Sequence, residues 1–241
     1  MTHTNSTRVS LVTGASGALG SALTRGLAAS SRLVVAVGRG VAQADLDAAL
    51  GGGRARAAAF DVTDASAWAA LLGELSSRGE HPTAAVFAAG AWRGGKPLHE
   101  ESDDATWEAM LSANLTTARV ALRALLPGML GQGGGSVVLV GSRAAVRPWE
   151  SARAAAYAAS KAALVALAQA VAAEVLDGGV RVNVVLPATI DTPQNRAAMK
   201  DADTSRWVTP EALTDVVTFL LSDAARAVSG AVIPAYGRGG V

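Results

Sequence analysis

The sequence predicts an α/β protein in which a doubly wound, parallel, seven-stranded sheet carries helices on both faces. Short runs of apolar and β-branched residues alternate with Ala- and Leu-rich stretches of helical length, which is typical of parallel strands linked by helical crossovers. The runs are continuously apolar, as expected for strands buried on both faces. The 241 residues, 50% of them hydrophobic, suffice for one large core, and we expect a single domain over residues 1–241.

Each element of this fold follows from a local pattern. Pro210 and Asp64 stand where a first helical residue and an N-cap belong. The segment 187–209 is irregular and long enough to be a lid over a functional site. The predicted strands cover residues 9–13, 33–37, 57–60, 84–87, 136–140, 180–186 and 231–234, and the predicted helices cover 18–30, 42–50, 64–77, 104–126, 152–176 and 210–222.

Composition and charge argue against several classes of function. A net charge of +1 with scattered basic residues does not indicate a nucleic-acid or membrane-surface partner. The absence of cysteine excludes disulfides, thiolate metal sites and cysteine nucleophiles, and the three histidines are too dispersed to indicate a metal. No apolar run approaches the length of a membrane span, and no signal-peptide pattern opens the chain. We therefore expect a soluble cytoplasmic protein without a metal.

A glycine-rich turn follows the first predicted strand and opens the first helix. Gly14 permits the tight turn, Gly17 lets the backbone approach a pyrophosphate, and Gly20 allows close packing of helix on strand. The N-terminus of the helix would face the anion. A glycine-rich turn without a ligand is the alternative. The predicted cofactor contacts in this turn are Gly14, Ser16, Gly17, Ala18, Leu19 and Gly20.

The end of the second strand selects the cofactor. An acidic residue there would bind the ribose 2′-hydroxyl of NAD(H), whereas a cation would pair with the 2′-phosphate of NADP(H). The chain has Arg39 and no acid, which favours NADP(H), with NAD(H) still possible. Asp61 and Val62, after the third strand, are expected under the adenine ring. The alternatives are an exposed Arg39 without a role and an Asp61 that only caps a turn.

Tyr157 and Lys161 lie four residues apart in a predicted helix and therefore share a face of it. A phenol is a poor acid or base at neutral pH, but a fixed ammonium beside it would stabilise the phenolate and lower its pKa. The pair therefore indicates an acid/base catalyst. The spacing alone is also compatible with a solvated surface pair.

Taken together, these motifs resemble the short-chain dehydrogenase/reductase family over nearly the whole chain. The order and spacing of the glycine turn, Asp61-Val62, Asn114, Ser142, Tyr157-x-x-x-Lys161 and Pro187-Ala-Thr-Ile190-Asp-Thr192 carry the resemblance. It implies a Rossmann fold and reversible hydride transfer between a nicotinamide and a carbonyl or alcohol.

The resemblance also implies roles for individual residues. Tyr157 would be the proton donor in reduction and the base in oxidation, with Ser142 bonded to the substrate oxygen. Lys161 would hold the nicotinamide ribose and lower the pKa of Tyr157, and Asn114 would anchor a water in a proton relay; on residue type alone, Asn114 could instead bridge backbone groups. The implied cofactor contacts beyond the turn are Ala88, Ala89, Gly90, Tyr157, Lys161, Pro187, Ile190 and Thr192.

One branch of the family is especially similar. The segments 17–20, 89–95, 186–196 and 201–203, together with Trp207, resemble dihydropteridine reductases. Those enzymes prefer NADH and lack the asparagine, so Arg39 and Asn114 indicate a relative with a different substrate. A dihydropteridine reductase-like enzyme and a catalytically idle dinucleotide sensor on the same fold remain alternatives.

Aromatic and basic residues in loops are candidate substrate contacts. Trp92, Trp149 and Trp207 fall in loops at the predicted site and favour an apolar or aromatic substrate, or they anchor loops. Two other tryptophans, Trp68 and Trp107, fall in helices and are predicted to be core. An anionic group on the substrate could be bound by one of four arginines, which could instead face solvent; these are Arg143, Arg147, Arg153 and Arg196.

The resemblance also predicts assembly. Family members are commonly tetramers or dimers joined through the helices predicted at 104–126 and 152–176, so we expect a homo-oligomer.

Overall fold

A computed structural model describes residues 7–239 of the chain. The start of the polar N-terminal segment, with His3, and the last two residues lie outside the described residues. Seven parallel strands form one sheet in the order β3-β2-β1-β4-β5-β6-β7. They are β1 (Val9–Thr13), β2 (Leu33–Val37), β3 (Ala55–Ala58), β4 (Pro82–Phe87), β5 (Gly135–Val140), β6 (Val180–Pro187) and β7 (Val232–Ala235).

Helices cover both faces of this sheet, which confirms the predicted doubly wound α/β architecture. They are α1 (Ala18–Ala28), α2 (Gln43–Leu50), α3 (Ala65–Ser77), α4 (Ala105–Leu111), α5 (Thr117–Gly131), α6 (Ala155–Glu174), α7 (Pro193–Ala198) and α8 (Pro210–Leu221). A π-helical turn, Ser112–Thr116, joins α4 to α5. Asp64 and Pro210 have the predicted capping positions, and the Asp64 carboxylate accepts from the amides of Ser66 and Ala67.

Two apolar clusters form the core, one on each face of the sheet. One face packs α3, α5 and α6 on strand residues such as Val35 and Leu139. The other packs α1 and α8 on the residues between them, such as Ala36 and Val138. Because successive side chains of a strand point to opposite faces, these continuously apolar strands supply both clusters.

The third strand begins and ends two residues before its predicted position. Ala55 pairs with Val34, and the strand ends at Ala58, so Phe60 lies beyond it. The ring of Phe60 packs edge-on against Trp68, with ring centroids 5.3 Å apart. The apolar signal at Phe60 is therefore packing against α3, not strand pairing.

The helix predicted at 104–126 differs in two respects. It is interrupted by the π turn, and it continues past Pro127 to Gly131. A proline removes one helical hydrogen bond, but Leu125 and Met129 are buried on either side of it, and their packing holds the last turn. The prediction that Trp107 is core is wrong, because its side chain is 40% exposed, whereas Trp68 is fully buried.

Helix α6 begins three residues after its predicted start and has 20 residues. By length and composition alone it is the one described helix that could cross a membrane, which the sequence prediction did not anticipate. Its buried face packs against β6, and it carries the buried Lys161. This packing is that of a core helix, whose apolar face rests on a sheet.

Candidate active site

The candidate site lies at the carboxyl ends of the central strands. β1 pairs with β2 on one side and β4 on the other, so the direction of winding reverses between β1 and β4. Ligands of doubly wound sheets bind in the crevice at such a switch point. The glycine turn follows β1, the segment from Ala88 follows β4, and Ser142 follows β5.

The glycine turn has space only for glycine at two positions. Gly14 has φ +69°, and a Cβ on it would lie 2.7 Å from the Ala89 nitrogen. A Cβ on Gly20 would lie 2.0 Å from the Gly14 oxygen. The turn is therefore packed against both the segment after β4 and its own helix.

The N-terminus of α1 is left open by this turn. Gly17 is its N-cap, no side chain caps it, and no acidic residue occupies the first turn. Ser16, Gly17 and Ala18 are exposed, whereas Leu19 is half-buried. An open helix N-terminus with uncapped amides suits a pyrophosphate, so these residues fit the dinucleotide that the sequence predicts.

Arg39 and Asp61 form an exposed ion pair at the end of β2 and β3. Their closest charged atoms are 3.8 Å apart, and the side chains are 82% and 50% exposed. The Asp61 carboxylate also accepts from the amide and hydroxyl of Thr63, and these bonds, helped by Arg39, lower its pKa. Asp61 thus caps its turn and contacts Arg39 at the same time. Val62 follows it, half-buried, and accepts a bond from the Trp68 indole at its carbonyl.

The Ser142 hydroxyl acts on the Tyr157 phenol and favours its ionised form. Ser142 lies just beyond β5, and Tyr157 lies in the first turn of α6. Burial raises the pKa of the Tyr157 phenol, and the bond with Ser142 partly offsets this increase. Because a phenolate is stabilised by a donor, Ser142 makes Tyr157 a better acid than burial alone would allow.

Lys161 is buried on the same helix, and its ammonium donates to the Val140 carbonyl at 3.0 Å. Burial lowers the pKa of Lys161 to about 8. The expectation that Lys161 brings the pKa of Tyr157 below its ordinary value is not met here, because desolvation of the phenol outweighs its stabilising contacts.

Asn114 lies in the π turn and connects three elements. Its amide oxygen accepts from the Ala91 nitrogen at 3.0 Å, and its amide nitrogen donates to the Ala91 oxygen and the Ser160 hydroxyl, each at 3.0 Å. The bridging role that residue type alone allowed is therefore present. π turns are frequent at functional sites, and a Cβ on Gly90 would lie 2.8 Å from the Asn114 oxygen and 3.4 Å from the Lys161 nitrogen.

Two residues of this network were missed from the sequence. The hydroxyl of Ser160 donates to the Tyr157 carbonyl at 2.8 Å while it accepts from Asn114. The hydroxyl of Thr13 accepts from the Ala89 nitrogen at 3.3 Å and ties β1 to the segment after β4. The signals available in the sequence were a serine next to Lys161 and a threonine at the end of the first predicted strand.

The segment 187–209 is ordered by its own contacts. Pro187 ends β6, and Ile190 bridges to Val208. Thr192 caps α7 by accepting from the Asn195 amide. This arrangement places Thr192 across a groove of about 380 Å³ from Ala18 of α1.

The predicted substrate residues differ in exposure and in their contacts. Trp92 is 64% and Trp149 is 73% exposed, whereas Trp207 is half-buried beside a cavity of about 200 Å³. Arg143 donates to the Gly239 carbonyl at 2.6 Å and pairs with Glu150 at 3.0 Å. Both of these contacts of its guanidinium are with groups of the protein itself.

Comparisons with known proteins identify the family of the chain. A family model described as short chain dehydrogenase matches residues 8–203. The chain is 34% identical over 238 residues to galactitol 2-dehydrogenase of Rhizobium johnstonii, covering 92% of this chain and 91% of that protein. It is 32% identical over 236 residues to D-threitol dehydrogenase of Mycolicibacterium smegmatis, covering 93% and 89%.

A solved structure also matches the whole chain. The structure of L-sorbose reductase from Gluconobacter frateurii, complexed with NADPH and L-sorbose, matches with a TM-score of 0.85 and 26% sequence identity over 100% of both chains.

Proposed function

Because the chain belongs to the short-chain dehydrogenase/reductase family, whose curated relatives here oxidise alcohol groups, we propose that it is an NADP(H)-dependent enzyme that interconverts a carbonyl and an alcohol. One observation carries the proposal: Ser142 acts on the Tyr157 phenol, and the segment after β4 contacts both the buried Lys161 and the open glycine turn. Such a set is required for proton transfer but not for nucleotide sensing, which disfavours the idle sensor.

The chemistry of the site follows from these groups. A bound nicotinamide supplies or accepts the hydride. In reduction Ser142 and Tyr157 donate to the carbonyl oxygen, and Tyr157 delivers its proton as charge develops there. In oxidation the Tyr157 phenolate accepts the proton of the alcohol, and the bond from Ser142 stabilises that phenolate.

Lys161 and Asn114 have supporting roles in this proton transfer. Among residues 7–239 the Lys161 ammonium has one acceptor, the Val140 carbonyl, and its two further protons would bind the ribose hydroxyls of the cofactor. Asn114 fixes the segment after β4 to α6 through Ala91 and Ser160. It therefore positions the site; the water-anchoring role implied by the family is part of the proposal.

The preference for NADP(H) rests on Arg39. Its guanidinium is exposed and only loosely paired, at 3.8 Å, so it can turn from Asp61 to a 2′-phosphate without losing a strong bond. No acidic side chain follows β2 directly to bind a free 2′-hydroxyl. The NADPH bound to L-sorbose reductase is consistent with this assignment.

We further propose a small substrate with an apolar or aromatic part. Support comes from Trp92 and Trp149, which expose large rings on the loops that follow β4 and β5. The polyols in the names of the relatives indicate the competing class, substrates rich in hydroxyl groups.

Assembly and location complete the proposal. Ala162, Ala166 and Ala170 form an exposed apolar stripe along α6, which suits close packing against a second copy. We propose a single-domain, cytoplasmic homo-oligomer joined through α4, α5 and α6, with 187–209 as a lid.

The test is consumption of NADPH and NADH with aryl ketones, aldehydes, ketoses and quinonoid dihydropterin. The proposal expects NADPH-dependent turnover of at least one ketone or aldehyde. Turnover of the dihydropterin alone, with NADH, would replace it by a pteridine reductase, and turnover of ketoses alone would replace the apolar substrate by a polyol.

A further inference from the structure

The basic residues around the candidate site are not equally engaged. Arg196 forms two short bonds, 2.5 and 2.7 Å, with the Asp191 carboxylate. Arg143 and Arg147 share the Glu150 carboxylate, and both stack over the ring of Tyr236 at 5.8 and 5.7 Å. Each of these three side chains therefore has a carboxylate partner within the protein.

Arg153 is different. Its Nε donates to the Gly95 carbonyl at 2.8 Å, and no described residue pairs with its two Nη groups. The side chain is exposed. The outer edge of the guanidinium therefore presents two parallel N–H donors to solvent, in the geometry that binds both oxygens of a carboxylate.

The backbone of Arg153 is strained in a way that fixes this presentation. Within residues 7–239 it is the single residue other than glycine with positive φ, +67°. Its carbonyl accepts from the Gly95 amide at 2.7 Å, so side chain and backbone hold the same glycine. A glycine at 153 would adopt this conformation without strain. Strain of this kind persists where the surroundings impose it and is concentrated at functional sites.

The clamp between Arg153 and Gly95 is connected to the catalytic residues through both of its chain segments. Arg153 precedes α6 by two residues and Tyr157 by four, and the segment that ends at Gly95 starts at Gly90, next to Asn114 and Lys161. A Cβ on Gly94 would lie 2.8 Å from the Arg153 oxygen and 3.0 Å from the Trp92 ring. An exposed aromatic ring thus lies next to the backbone of a preorganised cation.

The loop of this clamp is basic, and an acidic segment with Glu100, Glu101, Asp103 and Asp104 follows it. Residues 88–97 contain Arg93 and Lys96 and no acid, and Glu150, the single acid in 142–153, is already bound by two arginines. An anionic substrate would therefore gain from direct pairing with an arginine of this region, whereas a neutral polyol would not.

We propose that Arg153 is the substrate-binding residue of this enzyme for a carboxylate, and that the substrate is a keto or hydroxy acid whose apolar body lies against Trp92. The inference rests on the proposed function, because it assigns a substrate class to that site. Arg153 binds the carboxylate end-on through its two Nη groups, while Ser142 and Tyr157 bind the reacting oxygen. The fixed guanidinium reduces the entropy lost when the salt bridge forms.

The experiment compares ketones that differ only in the anionic group. Benzoylformate, 3-acetylbenzoate and 4-acetylbenzoate place the carboxylate at increasing distance from the carbonyl, and each has a neutral methyl ester. kcat/KM is measured with NADPH for acid and ester in the wild type, Arg153→Gln, Arg153→Gly and Arg93→Gln. Binding of each compound is measured separately by tryptophan fluorescence, which does not depend on turnover.

The two Arg153 variants separate charge from backbone. Arg153→Gln keeps a side chain at positive φ and removes the cation, whereas Arg153→Gly relieves the strain as well. Arg93→Gln is the matched control, because it removes the same charge from the neighbouring loop without removing a clamped guanidinium.

We expect at least one acid to be preferred over its ester, and both Arg153 variants to reduce this preference by about 10- to 100-fold, the range for a charge-assisted bidentate bond. The ester should be affected about twofold at most, and Arg93→Gln should leave the ratio of acid to ester unchanged.

The other possible outcomes test the assignment to Arg153, the proposed function, or both. An acid preference that survives Arg153→Gln, or falls equally in Arg93→Gln, overturns the assignment to Arg153. Turnover of esters and neutral ketones without any preference for acids overturns it too, while the proposed function stands. Arg153-dependent binding of acids without turnover supports the carboxylate site and contradicts the proposed function, and neither binding nor turnover contradicts both.

Discussion

Replacing Lys161 by methionine should make the protein more stable and inactive. Lys161 is buried, and burial lowers its pKa from 10.5 to about 8. Keeping the ammonium in the core at pH 7 therefore costs about 3 kcal/mol relative to the unfolded chain. Lys161→Met removes this cost but also removes the bond to the Val140 carbonyl, which contributes about 1 kcal/mol. The expected net gain is about 2 kcal/mol, or a rise in Tm of about 4 to 8 °C.

The pH dependence gives the sharper test of the same reasoning. Below pH 8 Lys161 is protonated in both states, and the whole cost is present. Between about pH 8 and 10.5 the unfolded chain binds the extra proton, so the stability of the wild type rises with pH. The advantage of Lys161→Met should therefore shrink over this interval. Urea unfolding of both proteins at pH 7, 8, 9 and 10, at equal protein concentration and without cofactor, measures it. A variant less stable than the wild type at pH 7, or a difference independent of pH, would refute the reasoning.

Three further predictions concern the cofactor, the proton donor and the sheet. Arg39→Gln should raise KM for NADPH by about tenfold or more and leave KM for NADH within about twofold, because only NADPH carries the 2′-phosphate. Steady-state kinetics with both cofactors measures the two KM values. Equal changes in both would contradict the role of Arg39. Ser142→Ala should raise the pKa of Tyr157, since its one stabilising bond is lost, so kcat/KM for alcohol oxidation should reach half its maximum at a higher pH; a pH–rate profile that stays in place would count against the phenolate as the base. Thr13→Val should destabilise the protein by about 1 to 2 kcal/mol in urea unfolding, because the Ala89 amide loses its acceptor, and an unchanged midpoint would show that this bond is dispensable.

The sheet could be read from the sequence because burial on both faces leaves a continuous apolar signal. Strands β1 and β2 have their predicted bounds, since Val9–Thr13 and Leu33–Val37 are wholly buried and end at glycine-containing turns. β3 was misplaced because it lies at the edge of the sheet, where three of its four residues are only partly buried. There Phe60 resembled a strand residue although it packs on a helix.

The grouping of the candidate catalytic residues could be predicted from the sequence for a different reason. Tyr157 and Lys161 are set by helical spacing, and Ser142 by the end of β5, so their approach follows from the fold class. The burial of each group could not be predicted from the sequence. Burial raises the pKa of Tyr157, and it results from tertiary packing that no local pattern encodes. For the same reason the exposure of Trp107 was missed, because helical periodicity alone does not show which helix faces remain open.

The arginines illustrate this limit most clearly. In the sequence Arg143, Arg147, Arg153 and Arg196 were equivalent candidates for an anion. Some of their partners lie in distant segments, as with Gly239 for Arg143 and Gly95 for Arg153. The sequence therefore does not show which guanidinium groups are paired with protein groups and which can bind a ligand.

The central claim, that Tyr157 exchanges a proton with the substrate at a bound nicotinamide, is tested most directly by Tyr157→Phe. The ring keeps its packing in α6 and loses only the hydroxyl bonded to Ser142. Turnover of the best ketone and the Kd of NADPH are measured on the same preparation. The account predicts that kcat falls by at least about 10²-fold while the Kd of NADPH stays within about twofold of the wild type. A variant that retains most of its turnover would contradict the account.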